Sequence, residues 1–181
     1  RVYPRAGGAA VKEWSFGTQL GIGTSELDLE ASTRIGNRLY FTGSHSNKKD
    51  GSEANNREHL FAVDVSGTGA ATTFTYVAEY GGLEQALAVW DTSNAHSKGA
   101  NYFGLAASSA GGVVPEASNG FSIEGLAATG SGQLLLGFRA PQANAAQRTK
   151  ALLIPLTNPA AVLTGANPIF GAPIELDLGG R

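Results

Sequence analysis

Two glutamates set 94 residues apart, Glu30 and Glu124, head the residues whose types and spacing could do chemistry. The first closes the run Leu27-Asp28-Leu29-Glu30, and the second sits in Ile123-Glu124-Gly125-Leu126. Carboxylates at equivalent positions of a repeat would be brought toward a shared axis or rim. Two or more of them, joined by backbone carbonyls, make a hard oxygen site suited to Ca²⁺. Asp28 would add a ligand from the first half, where the second half has Ser122. The plainer alternative is that each glutamate accepts hydrogen bonds from backbone N–H groups and holds neighbouring strands in register, since a carboxylate at a junction needs partners. General acid/base work by the pair is the third option.

Arg139 and His45 extend the set. With the same offset, Arg139 falls just beyond a strand at about the place that His45 takes in the first half, so the two are expected to face a common opening. A guanidinium beside an imidazole suits a phosphate or carboxylate ligand. Arg139 pairing with Glu124 as a structural ion pair is the alternative. The loop from Ser44 to Glu58 carries Asn47, Lys48, Lys49, Asp50, Glu53, Asn55, Asn56 and Arg57, which reads as a solvated hairpin tip or as a ligand-gripping loop. His59 and His96 stand at no spacing that reports a zinc site.

Several chemistries are disfavoured outright. The chain has no cysteine, so thiol and disulfide chemistry is excluded, and it lacks the nucleophile elbow, the phosphate loop, the zinc-protease helix motif and the dinucleotide fingerprint. Thirteen basic against 15 acidic side chains in 181 residues give a formal charge of −2 and no footprint for nucleic acid. Aromatic residues, at 8%, are too scattered for a stacking platform. No apolar run approaches the roughly 20 residues of a membrane span. The opening residues lack an initiator Met and the sections of a signal peptide, and the chain closes on a strand followed by a glycine turn, so it is expected to be a section of a longer protein.

The elements that must position these residues are short β-type runs separated by Gly, Asn, Asp and Ser. An early strand is expected over 11–16. Four runs follow, at 26–31, 39–43, 59–65 and 72–80. Four more lie at 121–127, 133–137, 151–156 and 169–178, and the single offset of 94 aligns Leu39 to Phe41 with Gln133 to Leu135 and Gly43 with Gly137. Four antiparallel strands repeated with turns are the blade of a propeller. The expectation is therefore an all-β, propeller-like fold with two four-stranded blades, one over about 24–80 and one over about 121–178. Between them, 81–120 reads as an insertion with a short helix carrying Leu83, Leu87 and Trp90, then a flexible loop at 106–112.

Taken together, Leu27-Asp28-Leu29-Glu30, Gly43-Ser44-His45-Ser46, Leu60-Phe61-Ala62-Val63-Asp64-Val65, Ile123-Glu124-Gly125-Leu126-Ala127, Gly137-Phe138-Arg139-Ala140-Pro141 and the closing Leu176-Asp177-Leu178-Gly179-Gly180-Arg181 resemble the bacterial family catalogued as domain of unknown function 3616. The resemblance runs over nearly the whole chain. It implies a propeller-like β fold that continues on both sides, and no established reaction. The Ile-Glu-Gly-Leu element is similar, more distantly, to one in phytase-like, esterase-like propellers. The resulting expectation is a non-enzymatic binding or scaffolding module of a bacterial exported protein, periplasmic or extracellular, with Ca²⁺ held by Glu30, Glu124 and Asp28. The alternative is a metal-assisted phosphoesterase or esterase in which Arg139 and His45 orient an anionic group. Open sheet edges would call for another polypeptide or a second copy to complete the assembly.

Overall fold

Period-two alternation turns Leu29–Ile35 (β1), Arg38–Gly43 (β2), Leu60–Ser66 (β3) and Thr73–Tyr80 (β4) into one antiparallel sheet whose order in space is the order in sequence. A second sheet of the same kind follows in Ser122–Ala128 (β5), Leu134–Ala143 (β6), Lys150–Leu156 (β7) and Ile174–Asp177 (β8). This computed structural model describes residues 1–177 and Gly179. Helices are few and short: Leu83–Thr92 (α1), Leu105–Ser108 (α2) and Pro159–Val162 (α3). The protein is thus mostly β, with two open four-stranded antiparallel sheets.

Several local expectations need correction. The run at 11–16 is not a strand. Only Lys12 bridges, to Val2, and Trp14 and Phe16 turn their rings onto the first sheet instead. The first strand begins at Leu29, because Asp28 takes a left-handed conformation with φ of 54°. The expected strand at 169–178 is broken, with Phe170 bridging Leu156 and β8 beginning at Ile174; Leu178 lies outside the described residues. The small-residue segment at 106–112 is no loose loop at its start, since α2 forms there with Leu105 and Ser108 buried. Its anchor is Asp91 in the last turn of α1, whose buried carboxylate accepts from the backbone N–H of Phe103 at 3.1 Å and Leu105 at 2.9 Å.

Packing gives each sheet two distinct faces. Along β6 and β7, Leu134, Leu136, Leu152, Ile154 and Leu156 are fully buried, whereas Leu135, Leu153 and Pro155 between them stay part-exposed. The buried side meets Tyr40, Leu60 and Ala62 of the first sheet, and α1 closes that core with Leu83, Leu87 and Trp90. The other side of the first sheet, with Phe41, Phe61, Val63 and Tyr76, lies under Phe16, Leu20, Ile22 and Leu27 from the segment preceding β1. Truncation of one such leucine to alanine costs about 2–5 kcal/mol.

The internal repeat survives with a changed register. Ala31 pairs with Thr42 where Gly125 pairs with Gly137, which sets the first strands 94 residues apart and the second strands 95 apart. The extra residue lies in the turn: four residues separate the paired Arg34 and Leu39, and five separate Ala128 and Leu134. The equivalent of Thr42 is therefore Gly137, and the equivalent of Ser44 is Arg139. A uniform offset of 94 had set Gly43 against Gly137 and Arg139 against His45. The third strands are 93 apart, since Phe41 pairs with Phe61 and its equivalent Leu136 with Ile154.

Candidate functional site

The strands that the repeat equates also lie side by side. β1 contacts β5, tied by the N–H of Ala128 donating to Thr33 Oγ1 at 2.9 Å and the N–H of Ile123 donating to the Ser44 carbonyl at 2.9 Å. Both glutamates occupy bulges. Glu30 is the extra residue between the pairs Leu29–Gly43 and Ala31–Thr42, and Glu124 is the extra residue between Ile123–Phe138 and Gly125–Gly137. A bulge leaves one residue out of the ladder and re-aims its side chain. Here it turns one carboxylate from each sheet into the same cleft.

That cleft has a volume of about 420 Å³, and Asp28, Glu30, Glu124 and Arg139 all line it. Arg57, Lys49, Ser46, Ser122 and Glu116 complete its charged and polar wall. Asp28 is the most tightly held. Its Oδ2 accepts from Ser44 Oγ at 2.7 Å and lies 3.1 Å from Arg57 Nη1, and the same guanidinium nitrogen donates to Ser46 Oγ and the Asn47 carbonyl, each at 3.2 Å. Arg139 Nη1 donates to Glu124 Oε1 at 3.0 Å, so the ion-pair alternative is the observed arrangement. That contact raises the Arg139 pKa above its ordinary value. The equivalent residues Ser44 and Arg139 each donate to an acid at or just before the first strand of their own sheet, Asp28 and Glu124.

Glu30 differs from Asp28 and Glu124. Among the described residues its side chain makes no hydrogen bond or ion pair. Its pKa is raised, by burial first and then by the carboxylates of Asp28 and Glu124, against the opposing pull of Arg139 and Arg57. The calcium set fares less well geometrically. Among the described residues no three of the acidic or histidine side chains stand where they could hold a metal ion together. Asp28 is committed to Ser44 and Arg57, and Glu124 to Arg139, so three acids share a cleft without converging on one point. These residues do not fit a three-carboxylate Ca²⁺ cage.

His45 does not line the cleft. It is fully buried at φ of 51°, and among the described residues neither ring nitrogen has a hydrogen-bond partner. Burial is the main cause that holds its pKa down to about 3, with the nearby His59 adding to it, so the ring is neutral and cannot serve with Arg139 as a paired cation. The expected hairpin tip is likewise buried at its start, from Ser44 through Asn47, where Asn47 Nδ2 donates to the carbonyls of Ala110 and Val113 at 3.0 and 3.1 Å. His59 pairs with Glu79, and His96 with Asp91. Arg57 is the residue that spacing arguments left among its loop neighbours. It follows no periodic pattern, and only the 3₁₀ turn Asn55–Arg57 carries it back to Asp28.

No helix among the described residues is long and apolar enough to cross a membrane. Fold and site together define a mostly-β protein of two repeat-related sheets with a charged cleft at the junction of their first strands. No protein-family model, curated protein or solved structure matches the chain.

Proposed function

We propose that this chain is a non-enzymatic binding or scaffolding module, two blades of a propeller-like protein exported by a bacterium, whose charged cleft takes a small polar ligand. The observation that carries the reading is the cleft itself, to which two equivalent bulges deliver Glu30 and Glu124, one from each sheet. Repeat-related strands side by side, each sheet running outward from them in sequence order, support the blade assignment and agree with the sequence resemblance to the family of unknown function. Most of the charges in the cleft already hold one another: Arg57 holds Asp28, and Arg139 holds Glu124. That arrangement suits recognition by exchange of polar contacts more than it suits activation of a nucleophile.

The raised pKa of Glu30 favours the second reading, a phosphoesterase or esterase, to the extent that a general acid must keep its proton. The decisive experiment is an assay of the purified chain with p-nitrophenyl phosphate and p-nitrophenyl acetate, with Ca²⁺ added or chelated. The expected result is no turnover above buffer in any of these conditions. Turnover that vanishes on chelation and in Glu124→Gln would replace the binding module by a hydrolase.

A further inference from the structure

The repeat supplies the charged cleft with an internal template for its ligand. In the first half, Asp28 is answered by the Arg57 guanidinium, whose Nη1 also donates to Ser46 Oγ and the Asn47 carbonyl. The offset of the first strands sets Ser122 against Asp28, and Ser122 lines the same cleft. The offset of the third strands sets Lys150 against Arg57. Lys150, however, is taken into β7, between Ala143 on one side and Asp177 on the other, and forms no part of the cleft wall. Arg139 is held by Glu124. The second half therefore supplies no counterpart to Arg57.

Ser122 and Glu30 are both left without a partner among the described residues. Ser122 is only 4% exposed, yet its hydroxyl makes no hydrogen bond there. A hydroxyl so far removed from bulk water is unfavourable until a ligand or water meets it. Glu30 is turned into the cleft by its bulge as a free carboxylate. Burial is the first cause of its raised pKa, and the carboxylates of Asp28 and Glu124 then outweigh Arg139 and Arg57, so the field at Glu30 is negative. Around the cleft as a whole, Asp28, Glu30, Glu116 and Glu124 stand against Lys49, Arg57 and Arg139, an excess of one negative charge. Lys49 is the only one of these cations outside an ion pair among the described residues. An anion elsewhere in the cleft must displace Asp28 from Arg57 or Glu124 from Arg139. A cation breaks neither pair.

We infer that the ligand of this cleft presents a guanidinium group, which docks on Glu30 and Ser122 as the chain's own Arg57 docks on Asp28 and Ser46. The planar fork offers two parallel N–H donors to the Glu30 carboxylate and a further N–H to the Ser122 hydroxyl. Its single positive charge brings the cleft to neutrality. An ammonium carries the same charge but lacks the fork that the template uses. The inference rests on the reading of the cleft as a binding site and names the chemistry that it binds.

Titration of the full chain with ethylguanidinium chloride, followed by the backbone amide signals of residues 28–30, 46 and 122–124, tests it. Sodium chloride is the ionic-strength control and sodium phosphate the anionic probe. Ethylguanidinium is expected to shift these signals saturably, and phosphate to leave them in place. Glu30→Gln weakens binding by about 10-fold or more, because a charge-assisted pair becomes a neutral one, and Ser122→Ala weakens it by about 3-fold. Both replacements are close in size to the native residue, and the same spectra check that each variant is folded. Phosphate acting on these residues in place of ethylguanidinium overturns the inference and leaves the binding-module reading standing. The inference is also overturned if ethylguanidinium shifts none of the cleft signals, or if both substitutions leave its binding unchanged. The binding-module reading fails separately, on turnover of the p-nitrophenyl esters.

Discussion

Two titratable side chains, one fully buried and one half-buried, tie stability to pH in opposite directions. His45 has its pKa held down to about 3 by burial, so as pH falls from about 6.5 toward 3 the unfolded chain takes up a proton that the folded one refuses. Stability is lost through that window on acidification. Glu84, in the first turn of α1, has its pKa raised to about 7, chiefly by burial and further by Glu58 and Glu53, although a hydrogen bond from Ser109 opposes the shift. As pH rises from about 4.5 to 7 the unfolded chain releases a proton that the folded one keeps, and stability is lost through that window on the alkaline side. Urea unfolding at pH 4 and pH 8 separates the two. Glu84→Gln is expected to gain about 1–2 kcal/mol on the native chain at pH 8 and almost nothing at pH 4, after allowance for partial exposure. His45→Asn, suited to the left-handed backbone there, gains at pH 4 relative to pH 8.

Single side chains also decide whether elements form. The insertion between the sheets is organised by Asp91, which receives the N–H groups of Phe103 and Leu105 and the Nε2–H of His96 at 3.0 Å. The N–H of Lys98 donates to His96 Nδ1, which places the ring proton on Nε2. Asp91→Ala would leave three donors buried without an acceptor. It should cost about 3–5 kcal/mol in urea unfolding, and the loss of hydrogen-exchange protection should concentrate in 101–108. A cost under about 1 kcal/mol would mean that water replaces the carboxylate. At this scale the helix at Leu83–Thr92 was legible from the spacing of Leu83, Leu87 and Trp90, whereas α2 was not, because Ala and Ser carry no periodic signal and its anchor lies 14 residues away. The turn between β5 and β6 had a similar effect. One additional residue there moved every equivalence in the second strand by one and took His45 away from Arg139.

For the molecule as a whole, the asymmetry between covered and open sheet faces governs behaviour. The segment before β1 acts as a cover: Phe16 lies 6.2 Å from Phe61 and 6.3 Å from Tyr76 between ring centroids, and Trp14 lies 4.4 Å from Phe74. Phe16→Ala should cost about 2–3 kcal/mol and uncover apolar surface on the first sheet. The readouts are a lowered urea midpoint together with self-association in sedimentation. An unchanged midpoint would show that the cover contributes no stability. The same sheet face explains why the segment folds back at all, since a strand-rich layer with Phe41, Phe61 and Val63 on one side must bury them against something.

The amino-acid sequence by itself determined the strand content, the order of the strands and the existence of a repeat, because period-two alternation and Gly/Asn/Asp turns are local signals. It also marked Glu30, Glu124, Asp28 and Arg139 as residues with chemistry to do, and these four line one cleft. What only the tertiary structure decided is how their charges are spent. Arg57 arrives from a 3₁₀ turn to hold Asp28, Arg139 closes on Glu124, and Glu30 is left facing the cleft without a partner among the described residues. Pairing of charges depends on distances of a few ångströms between elements far apart in the chain, and those distances hang on bulges and on a turn one residue longer than its counterpart.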